Sequence, residues 1–202
     1  MAKMKQKVAW GMFAFLALGI GLYPLIYLSF DTEFGLLSTK TNELLTNRIW
    51  KATFITHISF GGLALMLGWV QFSPKIRTRS LQLHRMIGFV YISAVLLSGF
   101  AAVYIALQAT GGAIAKMGFS LLAYIWLFTT IQALLAIRNK DLKNHQKMMI
   151  YSYAGCFAAV TLRLWLPILN LIFNDFIIAY QIVAWLSWVP NLFVAHWLVQ
   201  RI

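Results

Sequence analysis

Long apolar stretches alternate with short polar turns along this chain, and that alternation sets the first expectation. A membrane-spanning helix needs about 20 predominantly apolar residues. Six stretches qualify, roughly 8–29, 52–72, 86–107, 115–137, 148–172 and 176–199. They predict an all-α polytopic protein, a single bundle of six transmembrane helices forming one domain over residues 1–202. The stretch that begins at Val8 is too long for the apolar core of a signal peptide and predicts a retained first span. The longest interruption, FDTEFGLLSTKTNELLTNRIWK over 30–51, predicts a short interfacial helix around Thr41–Arg48. The other turns are short, so neighbouring spans should run antiparallel.

Inside the spans, polar residues recur at helical spacing. From His145 to Arg163 is 18 residues, five whole turns or roughly 27 Å, so both side chains lie on one stripe. Between them come Met149, Ser152, Cys156 and Ala159. The third stretch repeats the device with His84, Gly88, Tyr91, Val95, Ser98 and Ala102, and the second with His57, Gly61, Ala64, Gly68 and Gln71. Ionisable groups at membrane depth are costly and face the bundle interior. The stripes therefore predict which faces converge, with bulky residues such as Leu164 and Trp165 turned elsewhere. His57 and Arg163 are expected near one membrane face, His84 and His145 near the other. Ser80 and Asn144 are the expected N-caps of the third and fifth spans. Pro190 is expected to kink the sixth before His196.

Composition changes the picture less than charge does. Of 202 residues, 61% are hydrophobic and 11% charged, with a mean hydropathy of +0.75. That leaves too few polar side chains to cover a water-soluble domain. A net charge of +12 ordinarily raises nucleic acid as a partner. Its distribution removes that reading. Lys3, Lys5, Lys7, Lys75, Arg77, Arg79, Arg85, Arg138, Lys140, Lys143, Lys147 and Arg201 fall on the face that carries both termini, with Asp141 the one acid there. The other face balances Lys40, Arg48, Lys51 and Lys116 against Asp31, Glu33, Glu43 and Asp175. The positive-inside rule then predicts cytoplasmic termini and a multi-pass location in the cytoplasmic (inner) membrane, with basic loops against anionic lipid head groups. The lone Cys156 rules out an intrachain disulfide.

Several chemistries fit the buried polar set. In one, His84 and His145 are the metal ligands of a b-type haem, with Arg85, Lys143 and Lys147 near its propionates. The chain is then a small redox protein with an unidentified redox partner protein. In another, a quinone-like or anionic lipid occupies a slot lined by Tyr91, Tyr151 and Tyr153. His57, Arg163 and Ser152 are further candidate cofactor contacts in either case. A third reading is a proton-coupled carrier with His57 and Arg163 in its path. No span holds an Asp or Glu to relay protons, and no pair of broken helices is evident in the sequence. The structural alternative is a non-catalytic membrane subunit or lipid-binding protein, in which His57 and Arg163 hydrogen-bond backbone carbonyls and fix helix register. Nothing in the sequence decides whether the chain is an enzyme.

Two segments carry a resemblance. Gln71 to Tyr91, QFSPKIRTRSLQLHRMIGFVY, and Asn144 to Pro167, NHQKMMIYSYAGCFAAVTLRLWLP, resemble the signature regions of a bacterial membrane-protein family labelled domain of unknown function 2306. The matching positions are Gln71, Phe72, Arg79, His84, Arg85, Gly88, Tyr91, His145, Met149, Ser152, Tyr153, Thr161, Arg163 and Trp165. His57 matches a histidine common in the preceding span. Met148 stands where Trp is commoner, and His196 has no clear counterpart. The resemblance implies a multi-span fold and groups His57, His84, His145 and Arg163 as one set.

Overall fold

The computed structural model describes residues 2–29 and 35–202. Asp31, Glu33 and the side chains of Lys3 and Lys5, counted above in the charge balance, lie outside the described residues. Six described helices are long and apolar enough to cross a membrane: Lys7–Tyr27, Arg48–Phe72, Leu81–Ala106, Gly112–Arg138, Leu142–Phe173 and Phe176–Val199. These are the first to sixth spans below. An even number of crossings puts both ends of the chain on one face, called here the basic face.

The second, third and fifth spans begin earlier than their apolar stretches, because a polar first turn remains helical when its free N–H groups are capped. Asn47 Oδ1 accepts from the N–H groups of Ile49 at 3.0 Å and Trp50 at 3.1 Å, which opens the second span. Ser80 Oγ accepts from Leu83 N–H at 3.2 Å and opens the third, as expected. The fifth is opened by Asp141, not Asn144. Asp141 Oδ1 accepts from Asn144 N–H at 3.0 Å, so Asn144 is already inside the first turn. The turn before it passes through Lys140 at φ 60. The interfacial helix between the first two spans is shorter than predicted, Asn42–Thr46. Asn47 leaves the helical region to serve as a cap, and that ends it. A 3₁₀ turn, Gly35–Thr39, precedes it.

The second to fifth spans form a four-helix core in the cyclic order second, third, fourth, fifth. The third and fifth therefore stand on one diagonal and the second and fourth on the other. The first span packs on the second where Gly21 and Gly62 meet: a Cβ on Gly62 would collide with the Gly21 carbonyl, so a larger residue there forces the spans apart. The sixth covers the fourth and fifth. Large side chains such as Phe15 and Leu171, 75% and 83% exposed, point away from this core.

The fifth and sixth spans are each interrupted part-way, at Phe157 and at Ser187–Trp188. This corrects two expectations: a broken pair does exist, and the sixth span bends ahead of Pro190, which opens its terminal segment. The interruptions lie side by side. Thr161 Oγ1 donates to the Ser187 carbonyl. Asn191 Nδ2 donates to the carbonyls of Ser187 at 3.0 Å and Ala154 at 3.3 Å, and to Thr161 Oγ1 at 3.1 Å. Backbone groups released by a break in a membrane need such partners, because lipid offers none.

Candidate functional site

The stripes read from the sequence face the axis of the four-helix core, at three depths. At the basic face, His145 Nδ1 lies 2.8 Å from the carbonyl oxygen of Ala133. A carbonyl only accepts, so Nδ1 carries the proton and the lone pair belongs to Nε2. His84 faces the same region. Its Nδ1 is buried without a hydrogen-bond partner, and so is Gln71 Nε2 nearby on the second span. His145, Arg77 and Arg85 all lie close enough to act electrostatically on the His84 ring. Arg85 itself is exposed.

At mid-depth, Tyr91 and Ser152 are fully buried. Tyr91 OH is 2.8 Å from Ser152 Oγ, which is 2.7 Å from Thr130 Oγ1. Thr130 Oγ1 donates to the Trp126 carbonyl at 2.7 Å. Each hydroxyl has one proton, so the direction is set: Tyr91 donates to Ser152, Ser152 to Thr130, and Thr130 to the carbonyl. The chain ties third, fourth and fifth spans in one register. Tyr153 OH adds the second span by donating to the Leu65 carbonyl at 3.0 Å. Tyr151 takes no part in a slot with these two. It points to the sixth span, where its hydroxyl is 2.8 Å from His196 Nδ1, and His196 Nε2 is 3.0 Å from Gln200 Nε2.

Toward the opposite face, a cavity of about 220 Å³ opens inside the bundle. His57 and Arg163 both line it, as their depths suggested. His57 Nδ1 is 3.1 Å from the Ser98 carbonyl, and Ser98 Oγ donates to the His57 carbonyl at 2.9 Å. By the same carbonyl argument the proton is on Nδ1, and Nε2 has no partner among the described residues. Arg163 Nη1 donates to the Ala159 carbonyl at 2.9 Å, and its guanidinium carbon sits 4.5 Å from the centre of the Tyr23 ring. Its Nε is buried without a partner. No carboxylate among the described residues pairs with it.

Lys40 also lines the cavity, at its mouth. Its Nζ donates to the Gln108 carbonyl at 2.9 Å and to Thr110 Oγ1 at 3.0 Å, pinning the loop after the first span to the turn between third and fourth. Burial, and then the nearby Lys116 charge, lower its pKa to about 8. From sequence Lys40 reads as one more loop cation, and no pattern in the chain marks it out. Among the described residues no group of three metal-ligating side chains assembles. His84 and His145 stand as a pair.

A signal in the sequence does mark that pair. Gln71, Ile76, Arg77, Leu81 and His84 recur as Gln132, Ile137, Arg138, Leu142 and His145, at a constant displacement (132 − 71 = 145 − 84 = 61). Arg79 and Ser80 correspond to Lys140 and Asp141, and Ser80 and Asp141 both cap helices. The turn regions of the second–third and fourth–fifth hairpins thus share a spaced motif, although the first passes through a separate short helix, Pro74–Arg79, and the second does not. The same displacement pairs Tyr91 with Ser152, which touch, and so sets His84 and His145 at equal depth on diagonal spans. Toward the opposite face the hairpins differ: His57 corresponds to Gly118 and Arg163 to Ala102.

A family model described as a predicted membrane protein, DUF2306, matches residues 54–199. The chain belongs to the DUF2306 family. No curated protein and no solved structure matches it. The DUF2306 match spans nearly all of the second span and the whole of the next four, so it contains both hairpins, all four histidines and Arg163. Lys40 and the first span lie before it.

Proposed function

We propose that this DUF2306 chain is a small membrane redox protein in which His84 and His145 hold one haem b at the basic end of the core. The observation that carries this reading is the pairing of the two histidines: equal positions in a motif shared by two hairpins, at one depth, on diagonal spans. His84 and His145 would hold the haem between them, from helices that face each other across the core. Metal-ligating histidines commonly donate their second N–H to a backbone carbonyl, and the Ala133 carbonyl serves His145 in that way. The unpartnered His84 Nδ1, with Arg77 and Arg85 near it and Lys143 and Lys147 at the start of the fifth span, suits a ligand with anionic edges. Haem held by two histidines supplies one-electron exchange. The protein's part is to fix both rings, exclude lipid and neutralise the propionates.

The same basic side chains favour the cytoplasmic side of the inner membrane and contact with anionic head groups. The test is a visible spectrum of detergent-purified protein produced with ample haem. A sharp Soret band is expected, abolished by His84→Ala or by His145→Ala and kept by His196→Ala. A folded, colourless wild-type protein overturns the reading.

A further inference from the structure

The cavity near the opposite face is not used by a haem at the basic end, and it has its own chemistry. Most of its wall is apolar or aromatic, including Trp50, Trp126 and Tyr180. No Asp or Glu is among the described residues that line it. Into this wall are set three basic groups from three parts of the chain: His57, Arg163 and Lys40.

The guanidinium is the informative one. An arginine recognises a carboxylate with two parallel N–H groups on one edge. Nη1 of Arg163 is committed to the Ala159 carbonyl. The edge formed by Nε and Nη2 makes no hydrogen bond among the described residues, and Nε is buried. A cation buried with a vacant donor edge is costly unless something acidic meets it. His57 Nε2 stands ready for a second polar contact. Lys40, with its pKa of about 8, is largely protonated at neutral pH and adds positive charge at the mouth.

Size and polarity then narrow the occupant. An apolar cavity of about 150 Å³ holds benzene, so about 220 Å³ suits one ring with a substituent or two. A pocket of mostly apolar wall with a few converging polar groups is the usual form of a small-molecule site. We infer that this cavity binds a small aromatic monocarboxylate, its carboxylate on the free edge of Arg163 and its ring against the aromatic wall beside His57. The inference goes beyond the haem reading and does not depend on it.

The probe is benzoate, titrated into purified protein in detergent, with tryptophan fluorescence as the readout because Trp50 and Trp126 line the cavity. Benzamide, a neutral molecule of nearly the same shape, is the control. Benzoate should quench saturably and bind at least tenfold more tightly than benzamide. Arg163→Lys keeps a charge but loses the planar edge, and should weaken benzoate at least tenfold; Arg163→Met should abolish the preference over benzamide. His196→Ala, outside this cavity and outside the haem site, should bind benzoate like wild type. Equal binding of benzoate and benzamide by the wild type overturns the inference without any variant. So does unchanged benzoate affinity in a folded Arg163→Lys protein.

Discussion

Ser152 holds one proton and sits between two hydroxyls, and that arithmetic makes it the keystone of the core. Thr130 spends its proton on the Trp126 carbonyl, so only Ser152 can satisfy Thr130 as acceptor and Tyr91 as donor together. Ser152→Ala leaves the buried Tyr91 hydroxyl without an acceptor. A buried group orphaned in this way costs about 1–3 kcal/mol. The variant should lose about that much in denaturation by SDS from mixed micelles. Tyr91→Phe in the same chain should recover most of the loss, because the orphan is gone. Failure of the second change to recover stability would show that volume, not hydrogen bonding, governs the site. The residue types on the third and fifth stripes were legible from spacing alone, and so was their inward direction. Their mutual partners were not, because spacing along one helix says nothing about which tier of a neighbour it meets.

Among the elements, the paired interruptions in the fifth and sixth spans are the least regular feature. Asn191 Nδ2 reaches across to Ala154 and Thr161 of the fifth span, beside the Thr161 hydroxyl that donates to the Ser187 carbonyl. Side-chain hydrogen bonds between membrane helices average about 0.6 kcal/mol each, so losing the two that cross to the fifth span in Asn191→Leu should cost about 1 kcal/mol. Amide hydrogen exchange should quicken around Phe157 and Ser187 while the second and third spans stay as protected as before. Sequence reasoning missed these breaks for a physical reason. Pro167, the residue that signals disruption, lies inside an unbroken helical segment. The interruption falls instead at Phe157, a residue with no intrinsic bias against helix. Its ring stacks on Phe13 of the first span, centroids 5.1 Å apart, a contact between distant parts of the chain that helix propensity does not register. The caps show the opposite case. Asp141 lay in plain sight three residues before Asn144, and only the position of the first helical turn decided between them.

For the whole molecule, the six spans and their order were legible because apolar length is a strong signal, and the basic loops add an orientation to test. Single cysteines introduced as Lys116→Cys and Arg201→Cys, probed with a membrane-impermeant thiol reagent, should differ. The first should react in intact cells and the second only after lysis, while Cys156 stays silent because it is buried. The reverse pattern would invert the protein in its membrane and put the histidine pair on the outside. Lys40 and the cavity it closes were beyond reach of the sequence, since they arise where a loop meets a turn about 70 residues further on.

The shared motif has one more consequence. Two like hairpins that run the same way are related by half a turn about the bundle axis, and along that axis the likeness fades. At the basic end a glutamine, an arginine and a histidine recur in both walls; at the other a histidine answers a glycine and an arginine an alanine. Whatever enters there meets a lopsided chamber that can tell one end of a guest from the other.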